Sequence, residues 1–96
     1  MEVRAVPGQL VESRSGRDNG RIYLVMERAG DNYVYVADGT IRRVENPKKK
    51  NIKHLIFHSR VAVQIAEKIK DSQRITNQEM RRTIQELLEQ PEERPF

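Results

Sequence analysis

The chain has 96 residues, of which 36% are hydrophobic and none is tryptophan, so it holds material for one small core and a single domain. Eighteen Lys and Arg against fourteen Asp and Glu leave a net charge of +4, and there is no cysteine, which excludes disulfides, thiolate zinc sites and cysteine nucleophiles together. The longest apolar runs, Ile22–Met26 and Tyr33–Ala37, are far shorter than the roughly 18 residues of a membrane span, and Met1-Glu2-Val3-Arg4 opens no apolar leader. A cytoplasmic protein without membrane contact is expected.

Residues 1–58 carry short β-like runs punctuated by Gly, Asp and Asn. Leu10–Ser13, after Pro7-Gly8, is the first expected strand, and the small polar residues of Arg14–Gly20 form a loop. Arg21–Arg28 follows as a strand around Ile22–Met26. Gly30-Asp31-Asn32 turns the chain into Tyr33–Ala37. There Val34 and Val36 belong in the core, and Tyr33 and Tyr35 share the other face. Tyr23, inside an apolar run, reads as core. Asp38-Gly39 predicts a type I′ hairpin turn, since both central residues need positive φ, with Thr40–Val44 as the returning strand. Ile52–Phe57 is the fifth strand. Short strands at this spacing predict a small barrel.

From residue 59 the period becomes helical. Val61, Ile65 and Ile69, flanked by Ala62 and Ala66, form a narrow apolar stripe. Thr76-Asn77-Gln78-Glu79 is a capping box, with Ile75 and Met80 spaced for a hydrophobic staple. Met80, Ile84, Leu87 and Leu88 make one face, and Pro91 ends the helix. The expected organisation is a barrel over 1–58, a helical extension over 59–90 and a flexible tail over 91–96.

The catalytic inventory is thin. His54 and His58 are four apart, a metal-ligand spacing on a helix, but on a strand those positions lie about 13 Å apart. Gly16-Arg17-Asp18-Asn19-Gly20 lacks the Gly-Lys-Ser/Thr ending of a phosphate loop and reads as a turn, with Gly20 supplying positive φ. Asp18 has no evident acid–base partner in the sequence. A non-enzyme without cofactor or metal is expected.

The cations are more informative. Residues 1–58 hold eleven basic and seven acidic side chains, whereas residues 59–96 hold seven of each. Arg14, Arg17 and Arg21 bracket the first loop, and Arg42-Arg43 leads past Pro47 into Lys48-Lys49-Lys50 and Lys53. Such clustering fits a polyanionic partner; the plainer alternative is a loop kept soluble by its charge.

Gly8-Gln9-Leu10-Val11-Glu12-Ser13, then Gly16–Arg21 with Gly20 at the glycine position, resembles the KOW motif. Asp31–Gly39, followed by Arg42-Arg43 and Asn51-Ile52-Lys53-His54-Leu55, resembles the fourteen-e family of large-subunit ribosomal proteins, in particular the short bacterial RNA-binding relatives. Those end in a helical segment with a start similar to Arg74-Ile75-Thr76-Asn77. The resemblance runs over residues 7–85 and departs at Glu45-Asn46-Pro47, where the family often carries an unbroken arginine run. It implies an SH3-like five-stranded β-barrel followed by two amphipathic helices, and RNA, chiefly ribosomal, as partner.

The expected function is therefore RNA binding associated with translation, by backbone electrostatics and shape. The candidate contacts are Arg17, Arg21, Arg42, Arg43, Lys48, Lys49, Lys50 and Lys53, with Gly20 and Gly39 as structural turns. Two alternatives stand beside it. One is a protein–protein adaptor docking through the barrel or through Met80, Ile84 and Leu88; the other is a KOW-type transcription accessory factor.

Overall fold

The computed structural model describes residues 5–90. Five strands, β1 (Gln9–Ser13), β2 (Ile22–Arg28), β3 (Tyr33–Ala37), β4 (Lys48–Asn51) and β5 (Leu55–Val61), precede two helices, α1 (Val63–Lys70) and α2 (Asn77–Glu89). The strands form one antiparallel sheet in the order β4-β3-β2-β1-β5. The fold is mainly β with two helices.

The sheet is curled, and chain connectivity requires it. β4 and β5 lie on opposite edges, about 19 Å apart in a flat five-stranded sheet. Yet only Ile52–His54, wound as a 3-10 turn, joins them. Three residues at roughly 2 Å of rise each cannot cross that gap, so the edges bend toward each other. The Arg14 N–H bond to the His54 carbonyl (2.9 Å) ties that turn to the end of β1.

Alternating side chains divide between two cores. Val11, Tyr23, Val25, Val34, Val36 and Leu55 pack on the concave face. Leu10, Leu24 and Ala37 point the other way, against Ile65 of α1 and Met80, Ile84 and Leu87 of α2. β2 is covered on both faces, which is why its sequence reads as a continuous apolar run and not as an alternation. Tyr23 is buried, as its neighbours predict.

Two expectations are corrected between residues 38 and 61. Thr40–Val44 is not a strand, and Asp38-Gly39 is not the centre of a two-residue hairpin. The Asp38 Oδ1 accepts from the N–H groups of Thr40 and Arg42, both at 2.9 Å, and the N–H groups of Asp38 and Gly39 donate to the Arg42 carbonyl. The closed loop then runs to α2, where the Val44 N–H donates to the Asn77 side chain at 2.8 Å. The returning strand is instead the lysine run, paired as Val36–Lys48, Tyr35–Lys49 and Val34–Lys50. The second correction is at Ile52–Phe57, which is a 3-10 turn followed by β5. Extended structure continues to Val61, so the expected boundary at 58 falls inside a strand.

The second helix starts as expected. The Thr76 hydroxyl accepts from the Glu79 N–H (3.1 Å), and the Glu79 carboxylate accepts from the Thr76 N–H (3.4 Å). Ile75 and Met80 are both buried in the helix–sheet core, and Lys68 of α1 pairs with Glu79. The expected tail at 91–96 and the stop at Pro91 lie outside the described residues.

Gly39 has φ +81°, and its surroundings demand glycine as well: a Cβ there would stand 2.5 Å from the Asn77 carbonyl oxygen. Gly20, at φ +90°, has open space around it.

Candidate functional site

The β1–β2 loop folds back over the concave face and places Asp18 among cations. Gly20 donates its N–H to the Ser13 carbonyl and Arg21 donates to the Asp18 carbonyl, each at 2.8 Å, which fixes the loop. The Asp18 Oδ2 then accepts from the Lys48 ammonium (2.9 Å), the Tyr23 hydroxyl (2.9 Å) and the Lys50 ammonium (3.3 Å), while Oδ1 lies 3.4 Å from the Arg21 Nε. Lys50 also donates to the Ser13 hydroxyl at 2.8 Å, and with 7% of its surface exposed it belongs to the interior.

The electrostatic consequence is one-sided. The hydrogen bond from Lys48 holds the Asp18 carboxyl far below the usual range, against the opposing cost of its burial. Burial, then the Asp18 charge, pushes the Tyr23 phenol well above its ordinary value. At neutral pH the carboxylate therefore stays charged and the phenol neutral. The arrangement clamps the loop to β4, and neither group is placed to exchange a proton near neutrality.

This network divides the eight expected contacts. Lys48, Lys50 and Arg21 are engaged with Asp18. Arg17 projects from the same loop and is exposed, as are Lys49 on β4 and Lys53 in the turn after it; none of the three forms a salt bridge among the described residues. Arg43 is exposed and 3.3 Å from Glu45, and Arg42 is half-buried. Arg42 and Arg43 follow the far end of β3 from Tyr33, beyond a strand about 14 Å long.

A surface that charge counting does not find lies on the outer side of β3 and β4. Tyr33 is 39% exposed, Tyr35 is half-buried beside it, and the Lys49 ammonium stands 5.0 Å from the Tyr33 ring centroid. The turn carrying Lys53 is held there by the Ile52 N–H bond to the Asn32 carbonyl, 2.9 Å long. The available signal was the alternation of Tyr33 and Tyr35 with two core valines; what it lacked was the partner strand.

His54 is exposed. His58, on β5, lies with its Nε2 3.5 Å from the Glu12 carboxylate and otherwise without a polar partner. No cluster of three or more His, Cys, Asp or Glu side chains suited to a metal occurs among the described residues. No helix among them is long and apolar enough to cross a membrane.

The class these features define is a small, curled antiparallel sheet with two helices packed on one face and an ion network on the other. No family model matches the chain, and no curated protein matches it.

Proposed function

We propose that this protein is a cytoplasmic, non-enzymatic RNA-binding protein, that its curled sheet is an SH3-like barrel of the KOW type, and that its partner is ribosomal RNA. The observation that carries the reading is the exposure, without ion-pair partners among the described residues, of Lys49 and Lys53 at the β3–β4 edge that also presents Tyr33, and of Arg17 on the β1–β2 loop. Mobile, solvated cations are free to neutralise phosphates, which supplies affinity without reading sequence. Arg42 and Arg43 give a second, separate basic stretch for a longer RNA. Lys48, Lys50 and Arg21 act indirectly, by holding the loop that presents Arg17.

The adaptor reading loses much of its surface. Met80 and Ile84 pack against the sheet, and Leu88 alone of that trio is exposed. A sucrose-gradient profile of cell extract, with ribonuclease and high-salt controls, tests the proposal. Sedimentation with ribosomal particles, abolished by salt or by ribonuclease, is the expected result. Co-migration with RNA polymerase would favour a transcription accessory role, and a ribonuclease-insensitive complex free of RNA would favour an adaptor.

A further inference from the structure

Resting on the RNA-binding reading, we infer that the Tyr33 surface takes an unpaired base, so that the favoured ligand is single-stranded or looped RNA and not continuous duplex. Tyr33 opens β3 with its ring on the outer face of the sheet, opposite Asn51 of β4, and its backbone is locked in the ladder. A ring anchored in this way, 39% exposed, offers a π-face at little ordering cost. The Lys49 ammonium, 5.0 Å from the ring centroid, occupies the place where a base would stack. A base displaces it by rotation of a flexible stem, and the ammonium then meets the phosphate beside that base.

The charges around the ring are asymmetric. Lys49 and Lys53 lie on the β4 side. Glu27 is paired with Tyr35 across the β2–β3 ladder and Asp31 precedes the strand, both exposed, while the exposed Arg28 guanidinium donates to the Asp31 carbonyl at 2.9 Å, which leaves one net negative charge on that side. The net charge is thus negative on the β2 side and positive along β4, which favours a backbone running over Lys49 toward Lys53. Continuous duplex keeps its bases stacked inside, so it meets the lysines and leaves the ring unused.

The test uses the full chain with a short single-stranded RNA and the same sequence annealed as a duplex, at equal salt. The single strand is expected to bind more tightly. Tyr33→Ala is expected to weaken that binding by about 10-fold, with little change for duplex, and Tyr33→Phe to restore it. The chain has no tryptophan, so Tyr33→Trp gives a single indole reporter whose emission is quenched by the single strand and not by duplex. This readout needs no loss of the ring. Equal affinities for strand and duplex, an unaffected Tyr33→Ala variant and an unquenched indole would overturn the stacking inference and leave phosphate binding intact. Absence of binding to either RNA at low salt would instead remove the RNA reading itself.

Discussion

Asp18 is read from sequence as a turn residue because its neighbours Asn19 and Gly20 are turn formers. It is one, but its carboxylate also meets Lys48 and Lys50, about thirty positions away, and no local pattern announces that contact. Asp18→Asn keeps an acceptor oxygen and removes the charge, leaving the Lys50 ammonium buried without a counter-ion. A loss of about 2 kcal/mol at pH 7 is expected, below the roughly 3–5 kcal/mol of a fully buried pair because Lys48 is a third exposed. Since folding lowers the Asp18 pKa, its contribution is complete above the unfolded value near 3.9 and is lost as pH falls toward the folded one. The gap between parent and variant in denaturant unfolding should therefore begin to narrow below about pH 4 and keep shrinking toward lower pH; a constant gap from pH 7 to pH 2 would show that charge is not its source. The two turn glycines separate in the same way. Gly20→Ala faces only the cost of positive φ, about 1 kcal/mol. Gly39→Ala adds a Cβ 2.5 Å from the Asn77 carbonyl, so its melting temperature should fall well below that of the Gly20 variant. Equal melting temperatures would contradict the close docking of that loop on α2.

At the scale of elements, three of the five strands and both helices are legible in the sequence, because Ile22–Met26, the Tyr/Val alternation and the Thr76–Glu79 box are local signals. β4 is not. Lysine is a poor strand former, and a run of three lysines after a proline reads as a solvated loop. The run is a strand because its position supplies what its propensity lacks. It borders β3, Lys48 and Lys50 turn inward to Asp18, and Lys49 turns out toward Tyr33. Lysine also suits a sheet edge, where it discourages pairing with another chain. Thr40–Val44 fails as a strand for the converse reason: the turn signal before it is strong, but Asp38 caps its N–H groups and Asn77 draws Val44 to the helix. The helices share a core with the sheet, which is expected to need them. Truncation before residue 73 removes Ile75, Met80, Ile84 and Leu87 from the core they share with Leu10, Leu24 and Ala37. At roughly 2 kcal/mol or more for each buried side chain, the loss matches the whole stability of a small domain. The truncated chain should show collapsed amide dispersion; a folded β-rich fragment would show instead that the concave core suffices.

For the whole molecule, an excess of cations is visible in composition, but which of them remain free depends on the fold. Counting charges gives Lys48–Lys50 equal weight, whereas the curled sheet directs two of them to an internal carboxylate and leaves one outside. Lys50→Gln is accordingly expected to lower the melting temperature more than it alters binding. Arg17, Lys49 and Lys53 are expected to do the reverse, since exposed cations contribute little to stability. The most direct measurement is the salt dependence of binding to a ribosomal RNA fragment for the parent, for the combined Arg17→Gln, Lys49→Gln, Lys53→Gln variant, and for a Lys48→Gln, Lys50→Gln variant. Each phosphate contact contributes roughly −0.7 to −0.9 to the slope of log K against log salt concentration, so the first variant should flatten it by about 2. The second variant should nearly keep the parent slope while melting earlier. An unchanged slope in the first variant, with RNA still bound as tightly as by the parent, would contradict the assignment of this surface to RNA.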